Sequence, residues 1–241
     1  LNLELWRLGY FSNFKSIVEM GAQEIHMPFT AFQDLIRSAG ITQYDSSKFD
    51  PLNHWPKQPR CPARNFYELL GIREYRCIDM QNLHGAIPFD LNQPMEDAAY
   101  FEKFDLVTDY GTNEHIFNTA EAYRTMHKLC RPGGMIIIGQ ALYNGNGYYS
   151  YEPSFFEGIA AANRYKILFC SYVVSVHDQR DVAKYDQFFL PLHDALLDVM
   201  NKTQISEIGI CYVMQKQEGG EFHTPYQSQL MSEKNGYLGL D

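Results

Sequence analysis

Residues 104–116, FDLVTDYGTNEHI, place groups that can do acid–base chemistry directly after an apolar run. Asp109 and Glu114 supply carboxylates, which accept hydrogen bonds, and His115 supplies an imidazole that titrates near neutral pH. His115 can therefore take a proton from a bound hydroxyl as a general base. The plain alternatives are a histidine packed against a sheet and a glutamate favoured at the start of a helix by the helix dipole.

Strand-like apolar runs recur along the chain, and this cluster follows one of them. The runs are SIVEMG (16–21), YRCIDM (75–80), GAIPFDL (85–91), FDLVTD (104–109), GMIIIG (134–139), YKILFCSYVV (165–174) and IGICYVMQK (208–216). Segments with helical periodicity separate several of these runs. ARNFYELLGI fits a short helix that closes on Gly71, and NTAEAYRTMHKLCRPGG has apolar residues at helical intervals before a Pro-Gly-Gly stop. A further helix is expected from Pro153.

This alternation predicts an α/β fold with a doubly wound, mostly parallel sheet and helices on both faces. A ligand of such a sheet lies beyond the carboxyl ends of its strands. The predicted ends carry Glu19, Gly21, Asp79, Asp90 and the segment 109–115. The stretch YDQFFLPLHDALLDVMNKTQ, between the last two strands, is predicted to be mainly helical.

The 241 residues predict one domain, 1–241, with a segment inserted after the first strand. This segment, 26–62, contains several prolines and only weak periodicity after a short helix at 30–39. We expect it to be a lid or cap over the ligand. Within and just after it, Lys57, Arg60 and Arg64 form a small basic cluster that either binds an anionic group of a substrate or is solvated.

Composition limits the partners. With 20 Lys and Arg against 29 Asp and Glu, the net charge of −9 disfavours nucleic acid and anionic membranes. No apolar run is long enough to span a membrane, and LNLELWRLGYF does not have the pattern of a secretion signal. The five scattered cysteines suggest neither disulfides nor a zinc site, and no metal is expected. A cytoplasmic protein is the expectation.

The order of the pieces resembles class I S-adenosylmethionine-dependent methyltransferases, of the bacterial type that acts on carbohydrates or secondary metabolites. The matching pieces are IVEMG, IDM, FDLNQP, FDLVTDYGTNEHI, a helix, and LCRPGGMIII. In that superfamily a helix commonly runs into a Pro-Gly-Gly turn and a hydrophobic fifth strand, as it does here at 129–139. The resemblance implies a seven-stranded Rossmann-like sheet with the last strand antiparallel, and S-adenosylmethionine as cofactor.

The resemblance also implies roles for individual residues. It places Glu19 and Gly21 at the amino acid part of the cofactor, Asp79 at the ribose hydroxyls and Asp90 at the adenine amino group. The whole set implied for the cofactor is Glu19, Gly21, Ala22, Gln23, Asp79, Met80, Asp90, Leu91, Asp109, Tyr110 and Gly111. The residues implied for binding the acceptor lie at the end of the fourth strand and in the loop YNGNGYYSYEPSFF. They are Thr112, Glu114, Tyr143, Tyr148, Tyr149 and Tyr151.

Each role has a plainer alternative. Asp79 and Asp90 can simply form turns after their strands, Glu19 can pair with a basic side chain, and the tyrosines can cover the core. The expected activity is methyl transfer to an oxygen or nitrogen of a small-molecule acceptor, with His115 as the base and a homodimer left open.

Two other functions remain open. The motif EMGAQE has one glycine, with Ala22 and Gln23 where the superfamily has other small residues, and this motivates a non-catalytic partner protein of the same fold. A nicotinamide-dependent oxidoreductase is weakened because no G-x-G-x-x-G follows the first strand. A methyltransferase acting on RNA is disfavoured by the net charge.

Overall fold

The computed structural model describes residues 1–56, 60–143, 145–178, 181–191 and 207–227, without the side chains of 176–178 and 181–188. Its helices are α1 (Asn2–Arg7), α2 (Phe29–Ser38), α3 (Ala63–Leu69), α4 (Thr119–Leu129) and α5 (Pro153–Ala162). Its strands are β1 (Ser16–Met20), β2 (Glu24–Ile25), β3 (Cys61–Pro62), β4 (Glu74–Asp79), β5 (Ile87–Pro88), β6 (Phe104–Tyr110), β7 (Cys130–Tyr143), β8 (Tyr165–Asp178), β9 (Asp181–Leu190) and β10 (Glu207–Lys216).

One large sheet organises the protein, in the order β5-β4-β1-β6-β7-β10-β8-β9. Strands β5, β4, β1, β6 and β7 pair in parallel, whereas β10 runs antiparallel to both β7 and β8. The predicted Rossmann-like sheet with its last strand antiparallel is therefore confirmed. A separate two-stranded sheet pairs β2 with β3.

In the described parts of the chain the large sheet has eight strands rather than the predicted seven, because β9 extends its edge. The start of YDQFFLPLHDALLDVMNKTQ was predicted to be helical, but 185–190 belong to β9, which pairs antiparallel with β8. This prediction was wrong there because pairing with a preceding strand overrides local periodicity. The rest of the stretch, 192–204, lies outside the described residues. The third predicted strand is also shorter, since only Ile87–Pro88 pair.

Apolar side chains cover both faces of the sheet, as a doubly wound fold requires. On one face α4 and α5 pack over a buried cluster that includes Val18, Val107 and Ile138. On the other face α1, α2 and α3 pack over a cluster that includes Ile17, Leu106 and Ile137. The parallel strands are consequently buried on both sides, which explains their nearly continuous apolar sequences.

Segment 26–62 forms the connection from β1 towards β4, and it contains α2 and a 3-10 helix at Ser46–His54. Its side chains Phe32, Ile36, Phe49 and Leu52 are buried in the cluster under α1 to α3. The predicted short helix at 30–39 corresponds to α2. Most of this segment thus packs on a face of the sheet. Only its parts near the strand ends are placed so that they could act as a lid.

The direction of winding changes between β1 and β6. From β1 the chain proceeds to β4 on one side, and after β5 it returns to place β6 on the other side of β1. The carboxyl ends of β1 and β6 therefore border the topological switch point, which is the common ligand position in open α/β sheets.

Candidate functional site

The end of β1 is a tight turn that only glycine accommodates. Gly21 has φ +80°, and a Cβ at this position would lie 2.4 Å from Thr112 Oγ1. The Thr112 hydroxyl donates to the Met20 carbonyl at 2.7 Å. The Gln23 amide nitrogen donates both to Met20 O and to Thr112 Oγ1, each at 3.1 Å. In this structure the Gln23 side chain covers the end of β1.

Asp79 connects the end of β4 to the loop after β1. One carboxylate oxygen accepts from the backbone N–H of Ala22 at 3.0 Å, and the other from that of Gln81 at 2.7 Å. A carboxylate offers about four acceptor positions, so Asp79 keeps capacity for further donors such as hydroxyls. The side chain thus orders the loop after β1 while it remains able to accept from a ligand.

The end of β5 is built as a turn. Asp90 Oδ1 accepts from the backbone N–H of Asn92 at 2.9 Å and from its side-chain amide at 2.8 Å, and these bonds lower the pKa of Asp90. Leu91 is buried in the core, whereas Met80, after β4, is 69% exposed. The turn-forming alternative for Asp90 is therefore present in the structure, and it leaves the second carboxylate oxygen for other contacts.

Asp109 is fully buried at the end of β6, and burial raises its pKa to about 7. Its Oδ1 accepts from the backbone N–H of Thr112 at 3.0 Å, and its Oδ2 from the Gln140 amide at 2.6 Å. Gln140 in turn accepts from the backbone N–H of Glu114 at 3.0 Å. From its buried position, Asp109 therefore fixes the conformation of the loop 110–115.

Glu19 is likewise enclosed. It is 1% exposed, and its carboxyl accepts from the hydroxyl of Tyr75 and, at 3.4 Å, from that of Thr108. Burial raises the pKa of Glu19 to about 7. Its partners are hydroxyls rather than a basic side chain, and its position supports β1 from within the core.

A polar cavity of about 650 Å³ lies beyond the ends of β6 and β7, and we call it the outer cavity. Glu114 and His115 line it, and His115 is 46% exposed there with its Nε2 3.6 Å from Glu114 Oε1. The other Glu114 oxygen accepts from the backbone N–H of Ala141 at 2.6 Å, which fixes the carboxylate. His115 thus combines access to the cavity with a nearby carboxylate, the arrangement that a proton acceptor needs.

The predicted acceptor tyrosines occupy different environments. Tyr151 is buried in the core, and its hydroxyl contacts Thr119 Oγ1 at 2.7 Å. Tyr149 donates to the Phe117 carbonyl at 2.7 Å. Tyr143 and Tyr148 are 51% and 71% exposed. Tyr151 thus belongs to the cover over the core, and the described part of this loop reaches the outer cavity through Gly145 and Asn146 instead.

The predicted basic cluster is dispersed as far as it is described. Arg60 Nη1 contacts Glu24 Oε2 at 3.2 Å, and the Arg64 guanidinium stacks over the Tyr75 ring at 5.2 Å. Lys57 lies outside the described residues. Both described arginines already have partners within the protein, so they do not form a shared anion site.

The prediction from sequence missed His26 and Glu207, which line the outer cavity, and Gln140, which bonds to Asp109 and to the backbone N–H of Glu114. Glu207 begins β10, and because that strand is antiparallel its first residue lies at the edge where the parallel strands end. The expected antiparallel orientation of the last strand was therefore a signal that could have identified Glu207. His26 is brought to the cavity by the connection after β1, for which the sequence has no pattern.

No group of three or more His, Cys, Asp or Glu suited to a metal ion exists among the described residues. Within the same parts of the chain, no helix has the length and apolar character needed to cross a bilayer.

The fold is Rossmann-like, and a polar cavity lies at the strand ends near its switch point. No protein-family model matches this chain, and no curated protein sequence matches it significantly.

Methyltransferases are among the solved structures to which this chain is similar. One is a SAM-dependent methyltransferase from Archaeoglobus fulgidus, with TM-score 0.46, 11% identity, and coverage of 88% of this chain and 91% of that one. A second is the Burkholderia thailandensis 1,6-didemethyltoxoflavin-N1-methyltransferase, with TM-score 0.45, 10% identity, and coverage of 90% and 78%. A third is an O-methyltransferase from a Brevibacillus brevis PKS multienzyme, with TM-score 0.46, 11% identity, and coverage of 98% and 82%.

Proposed function

We propose that this protein is an S-adenosylmethionine-dependent methyltransferase that acts on an oxygen or nitrogen of a small molecule. The observation that carries the proposal is the hydrogen bond from the loop after the Gly21 turn to Asp79, in a loop whose Gln23 lines the outer cavity. Asp79 accepts from the Ala22 N–H at 3.0 Å and keeps lone pairs for a diol, and Gly21 lets the backbone turn at the switch point.

The residues present fit such a cofactor once one side chain moves. Asp79 would hold the ribose hydroxyls, and the loop 21–23 would lie along the amino acid part. Tyr110 and Gly111, which line the outer cavity, would border the methyl group. Gln23 is the part that must move, because its amide now spans the space over β1. Glu19 and Asp109 support these elements from within the core.

When bound, the cofactor would supply a methyl group on a sulfonium, a leaving group that needs no acid. The chain's own work is then to align the acceptor, exclude water and accept a proton. His115 is the group we assign to the proton, because it is exposed to the outer cavity and lies beside Glu114. Segment 26–62 would contribute a cover through His26, which lines the same cavity.

Binding of S-adenosylhomocysteine, measured by calorimetry, tests the proposal. We expect saturable binding to the wild type and at least tenfold weaker binding to Asp79→Asn. The matched control is Asp97→Asn, since Asp97 caps the short helix Ala98–Tyr100 through a similar backbone bond of 3.0 Å. Absence of binding to the wild type, or equal losses in the two variants, would contradict the proposal.

The second candidate is a non-catalytic protein of the same fold. The observation that favours it is the closed end of β1, where Gln23 and Thr112 bond to each other and to Met20 O. In that case neither the wild type nor a variant with Gln23 shortened would bind the cofactor.

A further inference from the structure

A second cavity, of about 290 Å³, adjoins the outer one, and we call it the inner cavity. Tyr110, Gly111 and Glu114 line both cavities, so the two meet at the end of β6 and the loop that follows it. From there the inner cavity extends over one face of β7, β10 and β8.

Strand pairing explains the floor of the inner cavity. Residues that lie directly opposite each other on paired strands point to the same face of a sheet. Gly139 pairs with Cys211, Ala141 pairs with Gly209, and Gly209 pairs in turn with Val173 on β8. All five residues line the cavity. Because four of them have a small side chain or none, this part of the sheet presents a nearly flat surface.

Two aromatic rings stand at the edges of this floor. Tyr110 on β6 pairs with Gly139, and Phe189 on β9 pairs with Val173, so both rings belong to the same face of the sheet. The Tyr110 hydroxyl donates to Asn2 Oδ1 at 2.8 Å, which fixes its ring. A Cβ at position 139 would lie 3.1 Å from Tyr110 Cδ1, so glycine there lets the ring lean over the strand. The inner cavity is therefore a slot with a flat floor and aromatic walls.

Such a slot suits a flat aromatic group. Apolar surface gains free energy when it leaves water, and aromatic rings pack favourably against one another in offset or edge-to-face arrangements. A puckered ring with the same number of carbon atoms is thicker and fits a flat floor less closely. Tyr110 also lines the outer cavity, so a ring held beside it lies next to the place proposed for the methyl group.

Resting on the proposed function, we propose that the acceptor carries an aromatic ring that occupies the inner cavity between Tyr110 and Phe189. The oxygen or nitrogen that receives the methyl group then lies where the two cavities meet. Gly209 and Val173 determine the depth of the slot and thereby limit the size of the ring.

Three alcohols with the same number of carbon atoms test the inference by binding alone: 2-phenylethanol, 2-cyclohexylethanol and 1-octanol. Each is titrated into the protein with and without saturating S-adenosylhomocysteine, and affinity is read from the NMR shifts of the Val173 and Ala141 methyl groups. The two saturated alcohols are the more hydrophobic, so burial of apolar area alone would favour them. We expect 2-phenylethanol to bind at least threefold more tightly than either, with nuclear Overhauser contacts from its ring protons to Val173.

Val173→Phe should weaken the binding of 2-phenylethanol at least tenfold, because the larger side chain fills the slot. Ile167→Phe is the matched control, since Ile167 lies on the same strand, is 38% exposed and is not among the described residues that line the inner cavity. Gly209→Ala provides a second variant should Val173→Phe fold poorly. Its Cβ would lie 3.3 Å from Gln140 O and 3.6 Å from Val173 Cβ, and we expect it to weaken binding at least threefold.

Three results would each overturn the inference: equal or tighter binding of the saturated alcohols, a 2-phenylethanol affinity unchanged by the two slot variants, or displacement of 2-phenylethanol by S-adenosylhomocysteine. Binding of S-adenosylhomocysteine to the wild type is recorded in the same samples. Where the cofactor binds, any of these results refutes the acceptor class alone. Absence of cofactor binding to the wild type would refute the proposed function, and with it the acceptor role of the slot, whatever the order of the alcohols.

Discussion

The amide nitrogen of Gln23 donates to Thr112 Oγ1 at 3.1 Å and so connects the ends of β1 and β6 across the switch point. The same nitrogen also donates to Met20 O at 3.1 Å. A ligand over β1 has to displace this amide, and each net hydrogen bond lost costs about 0.5–1.5 kcal/mol. Gln23 therefore opposes binding at the position where the cofactor is proposed to lie.

Shortening this side chain should strengthen cofactor binding. We expect Gln23→Ala to bind S-adenosylhomocysteine roughly five- to tenfold more tightly, since about 1 kcal/mol corresponds to such a factor. Calorimetry measures the affinity, with Gln217→Ala as the control because the Gln217 amide donates to Gln215. Weaker binding by Gln23→Ala would mean that the amide contacts the cofactor instead of covering its position.

Gly21→Ala should destabilise the fold through a contact as well as through its backbone. The new Cβ would lie 2.4 Å from Thr112 Oγ1, and φ is +80°. We expect a loss of about 2–4 kcal/mol in the free energy of unfolding by urea, with about 1 kcal/mol of it from the backbone conformation. Gly40→Ala isolates that backbone part, because Gly40 has φ +87° and a Cβ added there would meet none of the described residues within 4 Å.

Removal of the Thr112 hydroxyl provides a further check on the contact between this hydroxyl and a Cβ at position 21. In a Thr112→Ala background the cost of Gly21→Ala should fall to that of Gly40→Ala. Identical costs for Gly21→Ala in both backgrounds would show that the Thr112 contact does not matter.

Glu19 should make stability depend on pH. Burial raises its folded pKa to about 7 from an ordinary value of 4.5, so the folded state keeps a proton that the unfolded state releases. This contribution is fully present below pH 4.5 and is lost as the pH rises to about 7. Relative to Glu19→Gln, the wild type should lose on the order of 1–3 kcal/mol between pH 4.5 and 7.5. Parallel pH profiles for the two proteins, from urea unfolding, would contradict the assignment.

Two tyrosines of the loop after β7 should behave differently when each loses its hydroxyl. Tyr151→Phe removes contacts to Thr119 Oγ1 at 2.7 Å and to Asn113 O at 3.2 Å, and should cost about 1–2 kcal/mol. Tyr148→Phe, at a side chain 71% exposed, should change stability by less than about 0.5 kcal/mol. Thermal unfolding of both variants measures the difference, and equal stabilities would argue against the buried role of Tyr151.

The parts of the fold that the sequence predicts are those in which local pattern and burial agree. Strands β1, β6 and β7 are continuous apolar runs because helices cover both of their faces, and α5 begins at Pro153, where proline is favoured. Strand β9 was not predictable in this way. Its pairing with β8 depends on a neighbouring strand, and the apolar residues that follow it suit a helix equally well.

The residues of the site can likewise be separated into those that the sequence predicts and those that it does not. Asp79 and Gly21 follow strand ends and could be selected by position alone. The burial of Asp109 and Glu19 and the closure by Gln23 depend on side-chain directions that no spacing reveals. Glu207 was missed because it lies far along the chain, in a strand whose direction brings its first residue to the ligand edge.

The order of strands has a consequence for synthesis of the chain. β10 follows β8 and β9 in sequence, yet it lies between β7 and β8 in the sheet. On the ribosome, β7 therefore presents an unpaired edge until β10 emerges, and the β8–β9 hairpin has no place in the sheet before then. An incomplete chain of this kind exposes a long apolar strand edge, which is the feature that promotes aggregation and engages chaperones. The strand order thus requires that β10 be synthesised before β8 and β9 can take their places in the complete sheet.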